Sequence, residues 1–212
     1  MKGQVLIIIL IILICGCVKQ TPKMGQQEEI QLYTNQGGDT MKFLFIVAQQ
    51  DFRDEELEIP KDIVENAGHQ VDVASITTDT AKGKLGMIVQ PDLAVSDANL
   101  DNYNMVVVIG GPGAPDLANY PEVIGLLKQA KEKDMFIGAI CIAPTILAKA
   151  GILNGAKATV WNSALDKTPI ETLEQHGATY VDESVVIDGK IITANGPRAA
   201  EDFGNGILDL TK

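Results

Sequence analysis

The sequence predicts an α/β protein with a mostly parallel sheet covered by helices on both faces. Three observations predict it. From Met41 onward, strand-like runs alternate with helical ones. The strand-like runs are continuously apolar, as in KFLFIVA (42–48), NMVVVIGG (104–111) and MFIGAI (135–140), so they are buried on both faces instead of one. Finally, 20 glycines and 5% aromatic residues suit many tight turns better than an all-β sandwich. A length of 212 residues, 46% hydrophobic and 21% charged, fits one ordinary globular domain.

The elements follow in order. KFLFIVA is the first buried strand. EELEIPKDIVENAG (55–68) places Leu57, Ile59, Ile63, Val64 and Ala67 at helical spacing, with Pro60 near the start and Gly68 as the stop. QVDVASI (70–76) is a second strand. GKLGMIVQPDLAV (83–95) reads as short strands or a hairpin. NMVVVIGG is a strong buried strand, and PEVIGLLKQAKEKD (121–134) is a helix opened by Pro121. MFIGAI and APTILAKAG (143–151) form the next strand and helix, stopped by Gly151. KATVW (157–161) follows, then a short helix over ETLEQHG (171–177). TYVDESVVIDGKIITA (179–194) reads as strands with a tight turn at Asp188-Gly189. PRAAEDFGNGILDLTK (197–212) closes as a helix despite Gly204 and Gly206.

The N-terminus is a separate object. Met1-Lys2 is a short positive start, Val5–Ile14 is an unbroken apolar run, and Ile14-Cys15-Gly16-Cys17 precedes polar residues. That order matches a secretory signal, and its end resembles the lipobox of prokaryotic lipoproteins, with Cys17 lipidated. The run is short of the ~20 residues that span a membrane. The expectation is a signal over 1–17, a disordered tether over 18–40 and one domain over 41–212, at the extracytoplasmic face of the membrane. The alternatives are a start at Met41, giving a cytoplasmic protein, and an uncleaved anchor. With Cys15 removed and Cys17 lipidated, Cys141 has no partner within the chain. The net charge of -11 lies on the domain beyond residue 40, which makes a poor nucleic-acid binder.

Ligands of such sheets sit at the carboxyl ends of the strands. Three loops stand out there. After Ile140 comes Cys141, at a strand-to-helix turn where unpaired N–H groups favour a thiolate; Gly138, Ala139 and Ala143 leave room for a sharp turn. Such a cysteine should be acidic and nucleophilic. It reads equally well as a small buried core residue. After Ile109, GGPGAPD (110–116) lacks nucleotide-binding spacing. Its glycines could bring backbone N–H groups close to a reacting oxygen, or simply form a tight turn. After Ala48, QQDFRDEELEIP offers Asp54, Glu55, Glu56 and Glu58, any of which could reach across to the cysteine as a protonated acid or merely complement the helix dipole.

Four stretches together resemble the ThiJ/PfpI family of the class I glutamine amidotransferase-like superfamily. They are FIGAICIAPTILAKAGILNGAKAT, VVVIGGPGAPDL, FRDEELEIPKDIVENAGHQVDVASI and DESVVIDGKIITANGPRAAEDFGNGIL, and the resemblance covers essentially Met41–Lys212. It implies a flavodoxin-like three-layer sandwich, dimeric or higher. It also implies a nucleophile at Cys141 and a conserved acid four residues before the helix proline, which is Glu56. The oxyanion donors would be Gly111 and the amide of Ile142, supported by Gly110 and Pro144. No cofactor or metal is implied.

The departures narrow the chemistry. Peptidase-like members carry a histidine directly after the cysteine, where this chain has Ile142. Other members carry one near the end of the next strand, where this chain has Trp161 beside Asn162. The two histidines, His69 and His176, each adjoin a helix-stopping glycine and read as surface turn residues. The favoured expectation is a cysteine enzyme acting on small reactive carbonyls, glyoxalase-like or deglycase-like. A redox-sensing or chaperone-like protein with an oxidisable cysteine is the alternative. A peptidase or amide hydrolase is disfavoured for want of a general base.

Overall fold

A computed structural model describes residues 40–212. The signal over 1–17 with Cys17, and the tether up to residue 39, lie outside the described residues. Among the described residues no helix is long and apolar enough to cross a membrane.

The chain runs β1 (Lys42–Ile46), β2 (Gln50–Phe52), α1 (Asp54–Asn66), β3 (Gln70–Ser75), β4 (Ala81–Gly83), β5 (Ile88–Val89) and β6 (Leu93–Ala94). It continues with β7 (Met105–Val108), α2 (Pro121–Glu132), β8 (Phe136–Ile140), α3 (Pro144–Lys149), β9 (Lys157–Ala158) and α4 (Thr168–Gln175). It ends with β10 (Thr179–Tyr180), β11 (Val185–Asp188), β12 (Ile191–Ala194) and α5 (Ala200–Leu210). The main sheet has the order β11-β12-β8-β7-β1-β3-β6. All its pairings are parallel except β11 with β12. This is the mostly parallel sheet covered on both faces that the alternation of apolar strands and helices predicts, in the flavodoxin-like form that the family resemblance implies.

The buried strands feed two cores. Phe43, Phe45 and Val47 point to one face, with Met105, Val107, α1 and α5. Leu44, Ile46 and Ala48 point to the other, with Val106, Val108, Ile137, α2 and α3. Period-2 alternation along β1 divides one apolar run between two layers. Burying each such side chain is worth about 1.5–3 kcal/mol. Gly204 is what lets α5 lie against α1: a Cβ there would stand 2.8 Å from Ile63 Cδ1 and 3.0 Å from Pro60 Cα.

Several local readings change. Pro60 lies inside α1, because the helix starts at Asp54; its ring removes the donor that would bond to the Glu56 carbonyl. The β11–β12 turn is Gly189-Lys190, one residue later than read, since Asp188 still pairs with Ile191. The segment after Ala48 is not a plain loop. β2 pairs with β4, and β4 with β5, in a small separate sheet.

The strand order places β8, β7 and β1 side by side, with Ile46 opposite Val108 and Val108 opposite Ala139. The loops after Ala48, Ile109 and Ile140 therefore converge at one end of the sheet.

Candidate active site

Cys141 follows directly on β8 in a left-handed conformation, φ 64°. For a residue with a Cβ this costs of order 1–3 kcal/mol and persists only when the surroundings fix it. Two backbone hydrogen bonds do so. The Cys141 N–H donates to the Ala194 carbonyl at 2.8 Å, and the Trp161 N–H donates to the Cys141 carbonyl at 2.8 Å. The side chain is thereby turned out at the carboxyl end of the sheet, partly exposed. Cys141 packs at the edge of the core shared with α1 and α5 and is not enclosed in it.

The four acids near the start of α1 separate cleanly. Asp54 is buried, and its two oxygens accept from the N–H groups of Leu85 and Met87 at 2.8 and 2.7 Å, pinning the β4–β5 hairpin. Glu55 pairs with Arg53 at 2.9 Å. Glu58 is exposed. Glu56 alone turns inward to the cysteine, with 0% of its surface accessible. Neither of its oxygens has a well-aligned hydrogen-bond donor, so the thiol and the Gly110 amide act on it as near neighbours.

Burial is the main effect on both groups. It pushes the Glu56 carboxyl up to about 7, against smaller opposing effects of the thiol and Arg53. It also pushes the Cys141 thiol up, to about 12, and the neighbouring Glu56 charge adds to the rise. The amides of Gly111 and Ile142 favour the thiolate but are outweighed. This corrects the expectation of an acidic cysteine: the helix-side amides are present, but desolvation and a carboxylate neighbour count for more. With the carboxyl near 7 and the thiol near 12, the pair would hold one proton between those values. A thiolate forms when that proton resides on Glu56.

The glycines explain how the acid and the sulfur meet. A Cβ on Gly110 would lie 2.5 Å from Glu56 Oε2 and 2.6 Å from Cys141 Cβ. Gly111 has φ +110°, and a Cβ there would strike Arg53 N. Pro144, read as supporting, is buried at the first position of α3 and does not line the cleft.

A cleft of about 360 Å³ opens onto this group. Cys141, Glu56, Gly111 and Ile142 line it together. So do residues the sequence did not mark as site residues: Arg53, Pro112, Pro115 and Pro197. Trp161 completes the wall, 37% exposed, at the position where other members have histidine. Asn162 instead bonds to Tyr180 and Lys167. Neither histidine lines the cleft. His69 is half-buried, not at the surface as read: its Nδ1 accepts from the Met41 N–H at the opposite end of β1. His176 is exposed at the end of α4, its Nδ1 2.8 Å from the Thr172 carbonyl. No group of three or more metal-ligating side chains converges among the described residues.

Residues 41–210 match the DJ-1/PfpI family. The chain belongs to that family. Its relatives include the uncharacterized protein MJ0967 of Methanocaldococcus jannaschii, 41% identical over 79% of this chain and 80% of that one. The glutathione-independent glyoxalase DJR-1.2 of Caenorhabditis elegans is 31% identical over 78% of this chain and 86% of its own. Among solved structures, the ThiJ/PfpI domain protein of Brachyspira murdochii superposes with a TM-score of 0.76 at 31% identity, over 82% of this chain and 97% of that one. The DJ-1/PfpI match spans β1 to α5, so the cleft and every residue lining it fall within the shared domain.

Proposed function

We propose that the protein converts small reactive carbonyls by way of Cys141, as a glyoxalase-like enzyme. The observation that carries this is the strained, outward-turned Cys141 beside the fully buried Glu56, in a cleft that no histidine lines. The sulfur attacks the aldehyde carbon of an α-oxoaldehyde, forming a C–S bond, and the carbonyl oxygen takes the proton held by Glu56. The amides of Gly111 and Ile142 stabilise the oxygen as charge develops on it. Glu56 then carries the C–H proton from the first carbon to the second, while the hydroxyl proton passes from the first oxygen to the second, leaving a thioester. Water releases a 2-hydroxy acid and regenerates the thiol. One carbon is oxidised and its neighbour reduced, so the sum is substrate plus water and no cofactor enters. The name of the worm relative, a glutathione-independent glyoxalase, supports this reading.

The test is consumption of methylglyoxal by the purified protein and by Cys141→Ala. Loss of turnover in a variant that stays folded supports the reading; equal rates overturn it.

Two placements belong to the same proposal. Lipid at Cys17 would be read from the mass of the chain extracted from membranes, and a homodimer from light scattering.

A further inference from the structure

One charged group in the cleft has no part in the proposed reaction. Arg53 lines it together with Cys141 and Glu56. Its Nε and Nη2 donate to Glu55 at 2.9 and 3.2 Å, which fixes the plane of the guanidinium. Among the described residues its Nη1 makes no hydrogen bond. Its backbone N–H donates to the Gly110 carbonyl at 3.0 Å, holding the residue against the glycine loop.

Helix stability does not account for an arginine here. Arg53 is the N-cap residue of α1 and makes no side-chain capping bond. The helix dipole disfavours a cation at that end. The rest of the cleft wall is largely apolar, formed by Pro112, Pro115, Ile142, Trp161 and Pro197. Glu55 holds Nε and Nη2 and Glu56 lines the same cleft, so Nη1 is the donor of this group left to meet a ligand. On a chain of net charge -11, anions are repelled at large, so a cleft that admits them needs a local cation.

We propose that Arg53 is an anion-binding determinant of this cleft, and that the substrates are α-oxoaldehydes carrying a carboxylate. This rests on the reading of Cys141 as a nucleophile toward reactive carbonyls. Arg53 Nη1 would take the carboxylate while the aldehyde carbon meets the sulfur. The covalent balance is that of the proposed reaction, R–CO–CHO plus water giving R–CHOH–COO⁻ and a proton, with the anionic group of R unchanged.

The test compares alkylation of Cys141 by iodoacetate and by iodoacetamide, each rate divided by that of a small free thiol in the same buffer. The wild type should favour the anionic reagent by about tenfold, the worth of one charge-assisted hydrogen bond. Arg53→Met should bring the ratio to about one, and Arg53→Lys should restore part of it. A merely structural role for Arg53 would slow both reagents alike and leave the ratio unchanged. That result, or a wild-type ratio of one or below, overturns the proposal. Failure of Cys141 to react with either reagent refutes the reactive-cysteine reading itself, and the proposal with it. The second comparison is kcat/KM for 4,5-dioxopentanoate against its neutral isostere 5-methyl-2-oxohexanal, whose ratio should fall with the alkylation ratio in Arg53→Met. Turnover of neither substrate, with the alkylation ratio intact, refutes the carbonyl chemistry and the substrate class while leaving the anion subsite standing.

Discussion

Glu56 should make the protein less stable as pH rises through neutrality, and Glu56→Gln should remove that loss. The folded carboxyl titrates at about 7 against an ordinary 4.5. Between those values the native state keeps a proton that the unfolded chain has released. Stability from this group is therefore fully present below pH 4.5 and is lost as pH climbs to 7. At 1.36 kcal/mol for each pH unit, the loss amounts to about 3 kcal/mol. Glu56 has no accessible surface, so solvent screening does not reduce the figure. The rise of Cys141 acts in the same direction, but only above its ordinary 9. The assay is urea unfolding of wild type and Glu56→Gln from pH 4 to 8. The other carboxylates cancel in the difference between the two proteins. Wild type should lose about 3 kcal/mol relative to the variant over that range. A difference that stays constant, or that grows in favour of wild type, would show that the Glu56 carboxyl is not raised in the folded protein.

Two further predictions concern the scaffold. Gly110→Ala must displace Glu56 or Cys141, since the new methyl would lie 2.5 and 2.6 Å from them; methylglyoxal turnover should fall at least tenfold and stability by about 1–3 kcal/mol, read by steady-state rates and thermal melting. Asp54→Ala strips the acceptor from the Leu85 and Met87 amides; hydrogen exchange should quicken across residues 83–87 while the sheet strands stay protected, at a cost of about 2 kcal/mol.

Much of the fold was legible because the apolar runs of β1, β7 and β8 are continuous, which only a doubly covered parallel sheet requires. The site was legible in outline, since those three strands end in unusual residues. The rest depended on contacts distant in sequence. Nothing in FRDEELE separates Asp54 from Glu56 until the hairpin amides of Leu85 and Met87 claim the former. Arg53 and Trp161 enter the cleft through backbone bonds to Gly110 and Cys141, and no periodicity reports those. The direction of the cysteine's titration was misread because helix-end amides are visible in sequence, whereas burial is not.

The proposed reaction depends on Glu56 and Cys141 sharing one proton, with the thiolate formed by transfer to Glu56. Its most direct test is the rate of Cys141 alkylation by iodoacetamide against pH, in wild type and Glu56→Gln. Wild type should show an inflection near pH 7, followed by a plateau. Glu56→Gln should lose that inflection and show a single titration below about 12, because the carboxylate charge that raises the thiol is gone. A single titration near the ordinary value of 9 in both proteins would contradict it.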